Sequence, residues 1–158
     1  MAATPRIEVV PYAPAYRAAF AALNREWIER HFVMEPADHA VLDDPEGAIL
    51  APGGAIFFVL EDGVPLGTCA LIVHAPGVLE LAKMAVAPAA RGRGYAKLLM
   101  AAALAHARAS GAQTVELVSS RSLAPALALY RQYGFVEVPL GPAEEYARAD
   151  IKMALALR

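Results

Sequence analysis

The sequence predicts an α/β fold: a mixed, mostly antiparallel central sheet of about seven strands flanked by about four helices, in a single domain over residues 1–158. Three observations carry this. Short β-branched and apolar runs bounded by Gly, Pro and Asp turns alternate with longer stretches of helix formers. Three of the runs, 55–60, 65–74 and 78–86, follow one another through tight turns, as in an antiparallel meander. Beyond them the order becomes helix, strand, helix, strand, strand, which makes the sheet mixed.

Ile7 to Val10 is a β-branched run closed by Pro11 and reads as the first strand. From Pro14 to about Glu29, Phe20, Leu23, Trp27 and Ile28 recur at helical spacing. Glu35 to Leu42 reads as a second short helix, ended by Asp43-Asp44-Pro45-Glu46-Gly47. The meander follows, with Asp62-Gly63 and Pro76-Gly77 as its turns. Ala96 to Ser110 holds strong helix formers and no breaker, and Gly111 is a natural stop. Thr114 to Val118 reads as a strand, and Pro125 to Tyr133 as a helix with proline near its first turn. Phe135 to Val138 and Ile151 to Leu157 complete the strands.

The composition removes several function classes. A hydrophobic fraction of 58% against 19% charged argues against disorder, and no apolar run approaches the roughly 18 residues of a spanning helix. Arg6 and Glu8 stand where a secretion signal needs its apolar segment, so a cytoplasmic protein with no membrane partner is expected. Cys69 is the only cysteine, and His31, His39, His74 and His106 show no metal-ligand spacing, so neither a disulfide nor a metal is expected. Cys69, between Thr68 and Ala70 on a meander strand, reads as a buried thiol rather than a nucleophile. The net charge of −2, without a long block of one sign, argues against nucleic acid as a partner. Abundant alanine and proline, with arginine far ahead of lysine, match the bias of GC-rich bacterial genomes.

The most informative stretch is Val86-Ala87-Pro88-Ala89-Ala90-Arg91-Gly92-Arg93-Gly94-Tyr95-Ala96. A strand ends, a turn with two glycines follows, and a helix begins. Amides at a helix start point outward with partial positive charge and suit a phosphate. Gly92 and Gly94 let a pyrophosphate approach the backbone, while Arg91 and Arg93 offer charge-assisted hydrogen bonds. A P-loop would need Gly-Lys before Ser or Thr, and a dinucleotide fingerprint would put a small residue at Lys97. Both are absent, and the plain alternative is a strand-to-helix turn with two solvated arginines.

Arg91, Gly94 and Ala96, after a strand and a proline, match Arg/Gln-x-x-Gly-x-Gly/Ala. Ala126, Leu129, Tyr130, Gly134 and Phe135 match Ala-x-x-Leu-Tyr-x-x-x-Gly-Phe. In this order, with one helix and one strand between them, the two motifs resemble the GNAT superfamily of N-acetyltransferases, and Glu80 to Val86 is similar to that family's fourth strand. The resemblance implies that strands 4 and 5 splay apart to admit the pantetheine arm of acetyl-CoA. Its amides would pair with backbone around Met84, Ala85 and Val86, and its pyrophosphate would rest on Arg91, Gly92, Arg93, Gly94, Tyr95 and Ala96. It further implies an oxyanion contact from a backbone amide near Val86, and places Tyr130 facing the sulfur. One departure is Leu123, where many members carry asparagine; Ser120 and Ser122 are the nearby polar replacements.

The expected reaction moves an acetyl group to a primary amine, on a small molecule or a peptide, by direct attack in a ternary complex. A phenol such as Tyr130 can hydrogen-bond or protonate a leaving thiolate; the plain alternative is that it packs its helix. Glu80 interrupts an apolar strand and, without a bulge, shares the facing of Met84 and Val86. That makes it a candidate base or water-mediated proton acceptor, or equally a salt-bridge partner. Lys83 then falls on the other face, as a structural residue or phosphate contact. Glu26, Glu29, Glu35 and Asp38 beside Trp27 and Phe32 would form an acidic rim for a cationic acceptor, or a solvated face. The competing reading of the same fold is a non-catalytic acyl-CoA-binding or partner-binding module, and a homodimer fits either.

Overall fold

The computed structural model describes residues 3–141 and 146–157. Seven strands form one sheet: β1 (Ile7–Pro11), β2 (Ala55–Glu61), β3 (Val64–Ala75), β4 (Val78–Val86), β5 (Thr114–Ser119), β6 (Val136–Val138) and β7 (Ile151–Ala156). Their spatial order is β1-β2-β3-β4-β5-β7-β6. Every pair is antiparallel except β4–β5. That pair flanks a helical crossover, the connection parallel strands require. The helices are α1 (Arg17–His31), α2 (Pro36–Asp43), α3 (Tyr95–Ala109) and α4 (Ala124–Gln132).

Turn chemistry sets the meander. Asp62 and Gly63 both take positive φ, at 49° and 80°, the conformation a two-residue hairpin needs to match strand twist. The alternation of β2 and β3 divides the core into two layers. Val59, Cys69 and Leu71 pack under α3, with Leu99, Met100, Ala103 and Ala107. Ile56, Phe58, Leu60 and Ala70 pack on the opposite side with Phe20 and Ile28 of α1 and Leu42 of α2. Each fully buried large apolar side chain contributes roughly 1.5–3 kcal/mol. The segment after α2 does more than end a helix. Glu46–Leu50 forms one π-helical turn that sinks Ile49 into the α1 layer.

Two irregularities make the site. Pairing of β4 with β5 covers only Val78, Leu79 and Glu80, opposite Thr114, Val115 and Glu116. From Leu81 onward β4 has β3 on one edge and an opening on the other. Second, β4 carries a bulge: its register to β3 passes from Ala70↔Ala82 to Thr68↔Ala85, one residue more on β4, with Lys83 at φ 54°. The extra residue reverses the facing of the rest of the strand. Glu80 pairs with Ile72, which packs in the α1 layer, whereas Met84 and Val86 pack toward α3. Glu80 therefore does not share their face, as an unbulged strand would require.

Candidate active site

The opening is a cavity of about 450 Å³. Its walls come from the free edge of β4 (Leu81 to Val86), the start of α3, the end of β5, α4, and α1. One wall also receives Tyr146, Arg148 and Ala149 from the segment before β7.

At one end, Pro88–Ala90 makes a 3₁₀ turn and the chain reaches α3 through Gly92 and Gly94, at φ 80° and 81°. Gly94 is the N-cap of α3 and supplies no side-chain cap, so the first amides of that helix keep their donors for a ligand. A Cβ at either glycine would meet nothing within 4 Å. The glycines thus serve conformation here, and leave space in front of the amides. Arg91 lines the cavity but pairs with Glu26 at 3.1 Å. Arg93 turns away, to Glu61 at 2.7 Å, and its side chain does not line the cavity. The Tyr95 hydroxyl also donates to Glu61. The side chains expected to meet phosphate are therefore held by carboxylates of α1 and β2, while the backbone is presented. Met84, Ala85, Val86, Gly92, Gly94, Tyr95 and Ala96 all line the opening.

Tyr130 of α4 lines the cavity, its ring centroid 6.0 Å from that of Phe135. Burial pushes its phenol up to about 12, with a further rise from Cys69. The group is a neutral O–H at any physiological pH, able to donate a proton but not to serve as an anion. Cys69 itself is buried, raised to about 12 by desolvation, and an inert thiol. Leu123 occupies the wall where the motif's usual asparagine is missing, and Ser120 also lines it, with its Oγ 2.8 Å from that of Ser122.

The far end corrects two expectations. Of the two readings of Lys83 the structural one holds, but on the other face: the bulge turns it to the α1 side with Glu80, where its Nζ donates to Asp38 at 2.6 Å and to the Tyr146 hydroxyl at 2.9 Å. Glu35 and Asp38 do not form an open acidic rim. Asp38 is fully buried and also takes two hydrogen bonds from Arg148, each 2.8 Å, while Glu35 receives Arg148 at 3.3 Å and the Ala147 amide at 2.9 Å. Burial alone would raise the Asp38 pKa; the bonds from Arg148 and Lys83 outweigh it and hold the carboxyl well below its usual range. Burial draws Lys83 below the ordinary ammonium value against the pull of Asp38. Arg148 lies between the rings of Tyr146 and Phe32, at 4.5 and 5.6 Å. Glu26 is spent on Arg30 and Arg91.

Trp27, Phe32 and Glu80 line this end as the sequence allows, and Asn24 lines it unannounced. Asn24 continues the buried stripe Phe20–Asn24–Ile28 of α1 at 1% exposure, and its Nδ2 donates to the Phe20 carbonyl at 3.0 Å. The signal available in the sequence was a polar residue at helical spacing between two core positions. For Arg148 and Tyr146 the sequence holds no signal of this place, since Asp38 and Lys83, to which they hydrogen-bond, lie more than 60 residues away.

The profile of the acetyltransferase (GNAT) family matches residues 17–135. The chain belongs to this family. Among solved structures, a GNAT-family acetyltransferase of Staphylococcus aureus Mu50 superposes with a TM-score of 0.87 at 17% identity, covering 97% of this chain and 100% of that one. The N-acetyltransferase PaiA of Thermoplasma acidophilum, solved with coenzyme A, gives 0.76 at 14% identity, over 96% and 99%. YncA of Salmonella typhimurium, solved with its cofactor acetyl-CoA, gives 0.76 at 18%, over 97% and 95%. At these identities the likeness is one of fold. No curated protein matches the chain. Among the described residues, no helix of this GNAT chain is long and apolar enough to cross a membrane.

Proposed function

We propose that residues 1–158 act as one N-acetyltransferase domain that moves an acetyl group from acetyl-CoA to a primary amine by direct attack in a ternary complex. The observation that carries this is the free edge of β4 opposite the splayed end of β5, with Tyr130 inside the gap and the uncapped start of α3 at its mouth. An unpaired strand edge takes up an extended amide-bearing arm by adding backbone hydrogen bonds. The amides of Gly92 to Ala96, at the positive end of α3, take the pyrophosphate. Side-chain charge matters less, because Arg91 and Arg93 already have carboxylate partners.

In the reaction the amine nitrogen attacks the thioester carbonyl, the N–C bond forms and the C–S bond breaks. A backbone amide of the bulged stretch near Val86 stabilises the oxyanion. The nitrogen's surplus proton passes to Glu80, directly or through water. The Tyr130 hydroxyl meets the departing sulfur and gives it a hydrogen bond; burial keeps the phenol protonated, so this donor is always in place. Glu80 belongs to the α1 layer and Tyr130 to the α3 layer, so the two serve opposite sides of the reacting carbon.

The test is an acetyl-CoA turnover screen across polyamines, amino acids, aminoglycosides, arylalkylamines and N-terminal peptides. Coenzyme A release in step with N-acetyl product is expected for at least one class. Tight acetyl-CoA binding with no product in any class, and indifference of binding to Tyr130→Phe, would instead identify a binding module.

A further inference from the structure

At the acceptor end of the cavity, Asn24 is a polar side chain outside the ion pairs of Lys83, Asp38, Glu35 and Arg148. Asn24 is 1% exposed, sits between core residues on α1, and lines the cavity. Its amide orientation is fixed, because the Phe20 carbonyl at 3.0 Å must receive a donor and so takes the Nδ2. The Oδ1 remains, and no protein donor among the described residues is paired with it. No buried side-chain oxygen among the described residues lacks a partner, so the Oδ1 is the part of Asn24 that opens on the cavity, where a ligand N–H can reach it. A leucine at this position would continue the stripe but offer the cavity no acceptor.

We infer that Asn24 Oδ1 accepts an N–H of the acceptor's reacting nitrogen and selects primary amines with an apolar body over N-substituted ones. This rests on the transfer reading above and adds the acceptor class to it. Attack requires a neutral nitrogen whose lone pair points at the thioester carbon. A primary amine in that state keeps two N–H bonds. Asn24 receives one, and the other faces Glu80, which shares the α1 side of the sheet and the same cavity. A secondary amine keeps only one N–H, so either Asn24 or Glu80 loses its donor. The neutral amide suits this role, since it binds an N–H before and after the proton is lost.

The body of the acceptor follows from the surroundings of Asn24. Trp27, Ile28 and Phe32 are its cavity neighbours along α1. The charges beyond them do not call for a polycation. Asp38 and Glu35 are already bonded to Lys83 and Arg148. Lys83 and Arg148, which line the cavity there, are balanced by those two carboxylates, so the cluster offers a second ammonium no open acidic pocket. A monoamine with an apolar ring needs no such pocket and matches the aromatic wall.

Benzylamine and N-methylbenzylamine are the probes, with wild type, Asn24→Leu and Asn24→Ala. Calorimetry with coenzyme A-saturated protein reads binding, and acetyl-CoA consumption reads turnover. Benzylamine Kd and KM should rise at least tenfold in both variants, with acetyl-CoA affinity unchanged. The preference over N-methylbenzylamine should fall from more than tenfold toward unity. Asn24→Leu should keep or raise Tm; if it does not fold, Asn24→Ala decides. Wild-type affinity for benzylamine in both variants, or no benzylamine binding by wild type, overturns the inference. If the wild type binds benzylamine through Asn24 but acetylates no amine in the wider screen, the transfer reading falls and the Asn24 contact stands.

Discussion

At the residue scale, Tyr130 and Asp38 show burial acting with opposite results. Nothing ionic offsets the desolvation of Tyr130, so its pKa climbs to about 12 and the phenol stays protonated. Tyr130→Phe should lower kcat by ~10²-fold with a modest change in KM, the scale of general-acid assistance. The wild-type pH–rate profile should show no basic limb from this group below about pH 11. An unchanged kcat with a chemistry-limited acceptor would leave the ring a packing role only. Asp38 is desolvated too, but three short bonds to two cations reverse the shift. Removing its charge strands Lys83 and Arg148, and Asp38→Asn should cost about 3–5 kcal/mol at neutral pH. The sign with pH follows from the lowered folded pKa. The contribution is complete above the unfolded value of about 3.9 and fades as pH falls further toward the folded one. Urea unfolding at pH 7 and at pH 3 should therefore show a smaller gap between wild type and Asp38→Asn at pH 3; an equal gap would mean the carboxylate's charge is not what stabilises.

At the element scale, the start of α3 and the bulge of β4 each depend on one unusual backbone conformation. Gly94 caps α3 at φ 81° with free space where a Cβ would stand, so Gly94→Ala meets strain rather than collision in the free protein. A left-handed conformation costs a non-glycine residue roughly 1–2 kcal/mol. Acetyl-CoA affinity should fall further than stability, because a ligand brought onto the amides meets the added methyl directly. Arg93→Ala should do less, since Arg93 belongs to Glu61. Calorimetric titration alongside thermal unfolding checks both, and normal affinity in Gly94→Ala would remove the proposed pyrophosphate seat. This turn was legible in the sequence because glycines, proline and helix formers act locally. The bulge at Lys83 was not: nothing in Glu80-Leu81-Ala82-Lys83-Met84-Ala85-Val86 signals an extra residue, which only pairing with β3 reveals. That single residue moved Lys83 to the side of Glu80 and parted Glu80 from Met84.

At the scale of the whole molecule, the site is where the sheet fails to close. β4 and β5 stay together at Glu80 and Glu116 and separate beyond, while α1, α3 and α4 wall the gap from both layers of the core. The alternation of strands and helices and the motif tyrosine could be read from periodicity, turn residues and spacing. The acceptor end could not. Glu35 and Asp38 look like surface charges until Arg148, 110 residues beyond Asp38, closes on them. Asn24 looks like a helix-face polar residue until the opening supplies its empty side. Coenzyme A at a hundred times its Kd should raise stability by about 2.7 kcal/mol, wherever it binds. Its seat on the molecule is what the proposed function depends on, and hydrogen–deuterium exchange with and without acetyl-CoA locates it. Slowed exchange is expected along the β4 edge from Leu81 to Val86 and at Gly92 through Ala96, and confined to those two stretches. Binding that leaves both stretches unprotected, or protects another face of the sheet, would contradict the proposed seat and the transfer reaction built on it.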